Sequence, residues 1–354
     1  MKQYQNLLQE ILDNGREKES GRVNMPNTIG LSRGTILMEN VEENFPLLTT
    51  KKMFWKGIVH ELLWFLRGET NIKYLVDNNV NIWNGDAYRW YLTKIVPNGA
   101  PNLTMEEFLE RVENAEDITI SDPTSSHPHD KYREYHYGEL GKVYGYQWRN
   151  QNGVDQIADI MKDLKENPYG RYKILDGWNK RDFPEMALPP CHLLYQFIVR
   201  PMTHKEREEY SRNKSILNPK KEEWNWTKEQ LDNYGVPKYY LDLNMYQRSV
   251  DTFLGAPFNL ASMSLLLLII AKANNMVAGD AFWIGGDTHL YVDHLDVVKQ
   301  QISREPMELP KMKIMRELNS LEDILKLTID DFKLLGYESH GKLKAELFTG
   351  LKKK

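Results

Sequence analysis

Along the chain, apolar residues first recur at helical spacing over residues 4–14. There Tyr4, Leu7, Leu8, Ile11 and Leu12 fall on one face and Asn14-Gly15 provides an exit. Residues 55–67 (WKGIVHELLWFLR) are apolar on most sides, which predicts a deeply buried helix ending at Gly68. A short helix is predicted over 72–79, and residues 154–167 follow a helical period until Asn167-Pro168 stops them. β-Branched and aromatic residues at 172–178, 193–199 and 239–245 predict strands. A long helix over 259–275, a strand over 281–284 and a helix over 291–304 follow. Helices and strands mix without a regular βαβ alternation, so the pattern reads as α+β rather than as a doubly wound sheet.

Two segments interrupt this pattern. Residues 92–138 are rich in Pro, Asn, Asp and Ser and carry His127, His129 and His136; residues 201–237 are dominated by Lys, Glu, Arg and Asn around Trp224 and Trp226. Both read as surface insertions, so the chain is one domain over 1–354 with insertions at about 92–138 and 201–237. The histidines lack an acidic or cysteine ligand set at zinc-like spacing and read as a solvated loop; no metal is expected. The terminal LKKK reads as a solvated tail.

Composition narrows the class. With 354 residues, 41% hydrophobic and 27% charged, the chain has the balance of an ordinary globular protein. A formal net charge of −4 gives no support for polyanion binding, so no nucleic-acid partner is expected. The run LLLLIIA at 265–271 is far short of the ~20 residues of a membrane span, and the N-terminus lacks the apolar block of a signal peptide. A single cysteine cannot form an intramolecular disulfide, and a cytoplasmic location without membrane attachment is the expectation.

That cysteine lies in MALPPCHLLYQF, behind two prolines and ahead of His192. A free cysteine is ordinarily a small core residue. It is alternatively a nucleophile, where cationic neighbours favour the thiolate. The segment YQRSVDTFLGAPFNLAS (246–262) sets Arg248, Ser249, Asp251 and Asn259 among apolar residues. Buried polar groups are costly unless partnered, so this junction reads either as a set of internal caps, with Asn259 as a helix N-cap, or as a face for a polar ligand. In GGDTHLY (285–291), His289 and Tyr291 share a face if the segment is extended. Glu61, inside an apolar helix, requires a perturbed pKa or a dedicated partner.

Seven blocks in order resemble the thymidylate synthase family: FPLLTTKK (45–52), HELLWFLRGETN (60–71), VYGYQWR (143–149), WN followed by MALPPCH (178–192), YQRSVDTFLGAPFN (246–259), GDAFWIGGDTHLY (279–291) and SREPMELPK (303–311). The resemblance implies a large mixed β-sheet flanked by helices, with one sheet face forming a homodimer interface. It implies dUMP as substrate and 5,10-methylenetetrahydrofolate as co-substrate. Cys191 matches the nucleophile, and Arg248 the arginine near sulfur and phosphate. Arg22 and Ser249 match phosphate contacts, and Arg171 an arginine given by the partner subunit. Asn259 matches the amide that reads uracil; relatives acting on cytosine nucleotides carry aspartate there. His289 and Tyr291 match ligands of the deoxyribose hydroxyl. Asp251 matches the pterin carboxylate, Lys51 a site for the glutamate tail, and Trp83 a tryptophan beside the folate. Glu61 and Tyr144 match groups organising water and proton transfer, and His192 lies behind them without a proton-transfer role.

The chain departs from the family pattern in three places. The loop after Arg22 is VNMPN (23–27) rather than glycine-rich, Tyr172 stands where a second arginine would, and GLKKK extends the end that folds over the folate. Because water capture of the methylene intermediate gives a 5-hydroxymethyl nucleotide, dUMP hydroxymethylation is the alternative activity. A catalytically silent nucleotide-binding relative is the remaining one.

Overall fold

A computed structural model describes residues 1–121, 132–216 and 226–349. In chain order, α1 (Lys2–Asn14) leads into β1 (Arg16–Lys18), β2 (Thr28–Leu31) and β3 (Gly34–Met38), followed by α2 (Trp55–Leu66), α3 (Lys73–Asp77) and α4 (Asn84–Trp90). The first insertion holds α5 (Met105–Glu113), β4 (Asp117–Ser121) and β5 (Tyr132–His136). Next come α6 (Tyr144–Asn150), α7 (Gln156–Glu166), β6 (Ile174–Asp176) and β7 (His192–Pro201), then α8 (His204–Asn213) and α9 (Lys228–Asn233) in the second insertion. β8 (Tyr239–Asp251), α10 (Gly255–Ala273) and β9 (Val277–Tyr291) form the centre, and α11 (Leu295–Ile302), β10 (Lys311–Ile314), α12 (Leu321–Leu325) and β11 (Phe332–Leu335) close the chain.

The main sheet has seven strands in the order β1-β2-β9-β8-β7-β6, with β3 also paired to β9. Only β8 and β9 run parallel, joined by α10 as the crossover; the other pairs are antiparallel. This is the large mixed sheet with flanking helices that the resemblance implied. α10 is long and apolar enough to cross a membrane by length and composition, with a mean hydropathy of 1.6, but it packs in the core. The apolar element is thus a 19-residue helix rather than the seven-residue run visible as continuous leucine and isoleucine. α2 lies against α10 and is buried along most of its length.

Several boundaries differ from the sequence pattern. β9 runs through Gly285-Gly286 to Tyr291 instead of stopping at 284, because glycine is required for close packing rather than for a turn: a Cβ on Gly285 would meet the Trp283 ring at 2.4 Å. His289 and Tyr291 therefore do share an extended face. β8 extends to Asp251, and α10 begins at Gly255, so Asn259 lies inside the helix and is not its N-cap. β6 is only three residues long.

The first insertion is more than a surface loop. Phe108, Tyr135 and Tyr137 form an aromatic cluster with Tyr91 at its edge, and Ile120 is buried with them in the main core. The second insertion has a small core of Leu231 and Val236 under Tyr210 and Trp226, tied by the Arg207–Asp232 pair at 2.7 Å. His127, His129, Trp224 and the GLKKK extension lie outside the described residues. His136 pairs with Asp117 at 2.6 Å.

Candidate active site

The site is assembled where β7 and β8 begin and end against one another. Pro189 and Pro190 have no N–H to contribute to the sheet, but their carbonyls are exposed to partners. Arg248 takes both: Nε donates to Pro190 O and Nη2 to Pro189 O, each at 2.8 Å. The Arg248 backbone N–H donates to Cys191 O at 2.9 Å, and the Cys191 N–H donates to the Tyr144 hydroxyl at 2.7 Å. Cys191 is thereby fixed at the mouth of β7 with its thiol partly exposed. Burial pushes the thiol pKa up; Arg248, the Tyr144 hydroxyl and Arg22 pull it down, and Asp86 opposes them. The resting group is a thiol set among the groups that would stabilise a thiolate.

Register brings His192 opposite Gln247, and Gln247 organises the far side of the site. The Trp283 indole can only donate, and it donates to Gln247 Oε1 at 2.9 Å. That leaves Gln247 Nε2 to donate to Asn259 Oδ1 at 2.9 Å. The orientation of the Asn259 amide is therefore dictated by a tryptophan on β9: its oxygen accepts and its NH2 remains a donor. His192 also bonds Asn259, and burial lowers the imidazole pKa to about 4, so it is neutral at physiological pH.

Glu61 has both features that its place in α2 required. Trp83 Nε1 donates to Glu61 Oε1 at 2.8 Å, and burial pushes the carboxyl pKa up to about 7 against that bond. The Trp83 ring meets Tyr144 edge-on at 5.8 Å, and Tyr144 lies 5.2 Å from the His192 ring, so carboxyl, indole, phenol and thiol form one continuous group.

At the end of β8, Asp251 Oδ1 accepts from the Phe253 and Leu254 N–H groups, starting α10, while Oδ2 lies 4.0 Å from His294 Nδ1. Among the described residues that buried His294 nitrogen has no hydrogen-bond partner, so the Asp251 end retains polar capacity. A carboxylate and an imidazole nitrogen at this corner have the polar chemistry that a pterin requires. Lys51 lies beneath the same corner. Its side chain is buried, Nζ donates to Phe253 O and sits 4.0 Å over the Phe253 ring, and burial lowers its pKa to about 8 despite Asp251. It supports the Asp251 corner from below rather than presenting a cation at the surface.

The remaining residues divide into two groups. His289 and Tyr291 pack edge to face at 5.5 Å on β9, and Arg22 bonds Tyr291 from its exposed loop. Ser249 follows Arg248 on β8. Arg171 and Tyr172 are exposed on the loop before β6, and among the described residues no hydrogen bond or ion pair joins Arg171 to Cys191, Arg248 or Ser249.

Sequence reasoning missed Gln247, Trp283, Asp86, Arg89, Trp178 and the last described segment. Arg248 stands over the Trp178 ring at 5.8 Å. Phe348 packs against Tyr291 at 4.7 Å and stacks on His294 at 5.2 Å, and His294 Nε2 contacts Glu346 O at 3.0 Å. Arg89 pairs with Asp86 at 2.5 Å and donates to Thr349 O at 2.5 Å. Gly85 makes room for this: a Cβ there would meet Thr349 at 2.6 Å. An acid–base pair three residues apart just after Trp83 was the available signal; its distant partner was not.

The family model described as thymidylate synthase matches residues 2–349. The thymidylate synthase of Mesoplasma florum is 38% identical over 348 residues, covering 98% of this chain and 99% of that protein. That of Malacoplasma penetrans is 39% identical with the same coverage, and that of Phytoplasma mali 38% over 344 residues, covering 97% and 98%. Fold, site geometry and these likenesses agree that the chain belongs to the thymidylate synthase family.

Proposed function

We propose that the chain transfers a one-carbon unit from 5,10-methylenetetrahydrofolate to C5 of dUMP and reduces it, giving dTMP and dihydrofolate. The observation that carries this is Cys191, its backbone fixed by Tyr144 and Arg248, on the same site as an Asn259 amide of dictated orientation. Uracil presents a carbonyl at O4 and an N–H at N3. The Asn259 NH2 donates to the first and the second lone pair of its oxygen accepts from the other.

Cys191 sulfur adds to C6 of the ring, and the electron pair moves onto O4 as an enolate that Asn259 stabilises. C5 is now nucleophilic. The folate supplies the one-carbon electrophile and, afterwards, the hydride. The C5 proton leaves toward the water and carboxyl system organised by Glu61 and Tyr144, and sulfur departs as the methyl group forms. Arg22, Arg248, Ser249 and Arg171 hold phosphate, the arginines through bidentate pairing. His289 and Tyr291 hold the deoxyribose hydroxyl, and Asp251 and Trp83 the pterin. Lys51 acts at the folate end through the Asp251 corner. A reducing, cytoplasmic setting keeps this thiol available.

The product depends on water. The Glu346–Thr349 backbone, held by His294, Arg89 and Gly85 with Phe348 against Tyr291, supports closure of the site and hence methyl formation over hydroxymethylation. Mass spectrometry of the nucleotide formed from dUMP and methylenetetrahydrofolate tests this. A methylated product is expected; a hydroxymethylated one overturns the reductive step, and unchanged dUMP overturns the enzymatic reading.

Two copies sharing their sites complete the proposal. A row of side chains, Leu37, Phe282, Asn244, Gln196 and Ile174, crosses five strands in register on one sheet face. Leu37, Ile174, Ile198 and Tyr246 are exposed apolar groups on the same sheet, suited to a twofold interface.

Substrate choice gives a direct prediction. Asn259→Asp replaces the NH2 donor by an acceptor, so the preference in kcat/KM moves from dUMP toward dCMP by on the order of 10²-fold or more. Paired assays on the two nucleotides check it; an unchanged dUMP preference overturns the role of Asn259.

A further inference from the structure

Lys173 has no part in the chemistry above, yet its side chain is wholly buried beside the exposed Arg171. α7 ends at Glu166, Pro168 prevents its continuation, and the chain turns through residues 167–172 before β6. The Lys173 ammonium sits inside this turn. Nζ donates to Asn167 O and to Gly170 O, each at 2.8 Å, and lies 2.9 Å from Asp163 Oδ2. Two carbonyls accept from it, and the Asp163 carboxylate pairs with its charge. An isolated buried ammonium would be costly, and here one carboxylate and two loop carbonyls at the end of a helix compensate it.

The loop is wrapped tightly around the cation. A Cβ on Gly170 would meet Asn167 Nδ2 at 2.5 Å and Asp163 Oδ2 at 3.0 Å. Phe197 N donates to Lys173 O at 2.9 Å, which ties the caged residue to β7. With the inner side of the turn so fixed, Arg171 and Tyr172 project outward, and Tyr172 is 92% exposed. An apolar residue at 173 would fill the same space without gathering the two carbonyls.

We propose that Lys173 is a positioning residue for Arg171: its caged ammonium sets the 167–172 loop in the shape that presents the Arg171 guanidinium to the phosphate in the other copy's site. This rests on the reading that the two copies share their sites. A loop ordered in advance spares the entropy of ordering Arg171 on binding, so Lys173 acts on nucleotide affinity and in trans.

Lys173→Met removes the charge at similar length, and Asp163→Asn weakens the cage while leaving the lysine. In either homodimer KM for dUMP rises by about tenfold, the scale of one charge-assisted phosphate contact, while kcat stays within about threefold. Hybrid dimers with a Cys191→Ser chain decide the route. In the hybrid, the only thiol belongs to the Lys173→Met chain and receives Arg171 from the chain whose cage is intact, so KM returns to the parent value. A KM that stays raised in the hybrid, or that never rises in the homodimer, overturns the role of Lys173. The Arg171→Ala chain in the same hybrid separates the two claims. If it is rescued while Lys173→Met is not, only the Lys173 proposal fails; if it is not rescued, the sharing of sites fails. Should Lys173→Met not fold, Asp163→Asn carries the same comparison.

Discussion

Replacing Cys191 with serine lowers turnover by about 10⁴-fold or more and leaves dUMP affinity within a few-fold of the parent. Cys191 is the chain's one thiol, and a serine hydroxyl ionises too weakly to replace it. Arg248 and Tyr144 also bind the backbone of residues 189–191, so the serine variant keeps the corner and those contacts. Affinity is preserved for the same reason: the groups assigned to phosphate, uracil and ribose are untouched. Dihydrofolate formation and dUMP titration measure the two quantities. With 5-fluoro-dUMP and methylenetetrahydrofolate, the parent forms a covalent adduct at its one cysteine and the variant forms none. A serine variant within tenfold of the parent, or an adduct on another residue, defeats the mechanism.

Glu61→Gln separates activity from stability. Burial raises the Glu61 pKa from 4.5 to about 7, so the folded protein holds a proton that the unfolded chain has released. The sign follows from that: the proton's contribution to stability is full below pH 4.5 and is lost as pH rises through 7. Above pH 8 the wild type therefore carries a penalty of about 3 kcal/mol from the buried carboxylate. Glutamine has no charge to bury, and its oxygen still accepts from Trp83 Nε1. The variant melts higher than the wild type at pH 8, and the difference shrinks toward zero near pH 4.5. Its kcat falls by about 10²- to 10³-fold, the range for removal of a proton-transfer group. The acid limb of kcat/KM near pH 7 disappears with it. A melting difference independent of pH contradicts the buried-carboxylate account, and an unchanged acid limb assigns the proton chemistry elsewhere.

The legibility of this protein in its sequence followed the range of the interactions involved. α1, α2 and α7 were visible because their periods and stops are local. Glu61 was marked by contrast, one carboxylate in an apolar helix. Cys191, Arg248, Asp251 and Asn259 were marked by contiguous blocks whose residue types the chemistry demands. The errors arose where a local signal has two meanings. Gly285-Gly286 resembled a strand end and instead admits the Trp283 ring. Asn259 resembled a cap and is an internal residue of α10. The polar texture of 92–138 hid Ile120 on β4 and Tyr135 on β5, each buried between exposed polar residues, and Tyr137 just beyond.

By itself the sequence determined the inventory: an α+β chain, its principal helices and, through its resemblance to the thymidylate synthase family, the side chains proposed for one-carbon transfer. The first two follow from short-range periodicity and the last from collinear blocks, neither of which depends on distant partners. Only the tertiary structure decided how that inventory is set. Trp283 orients Gln247, which orients Asn259; burial turns Lys51 inward and lifts Glu61; Arg89 reaches Thr349; and Asp163 joins Lys173 to close a cage under Arg171. Each of these is a donor meeting an acceptor, or a charge leaving water, between different elements of the fold. No local pattern encodes such meetings, because they exist only once the sheet and helices have packed.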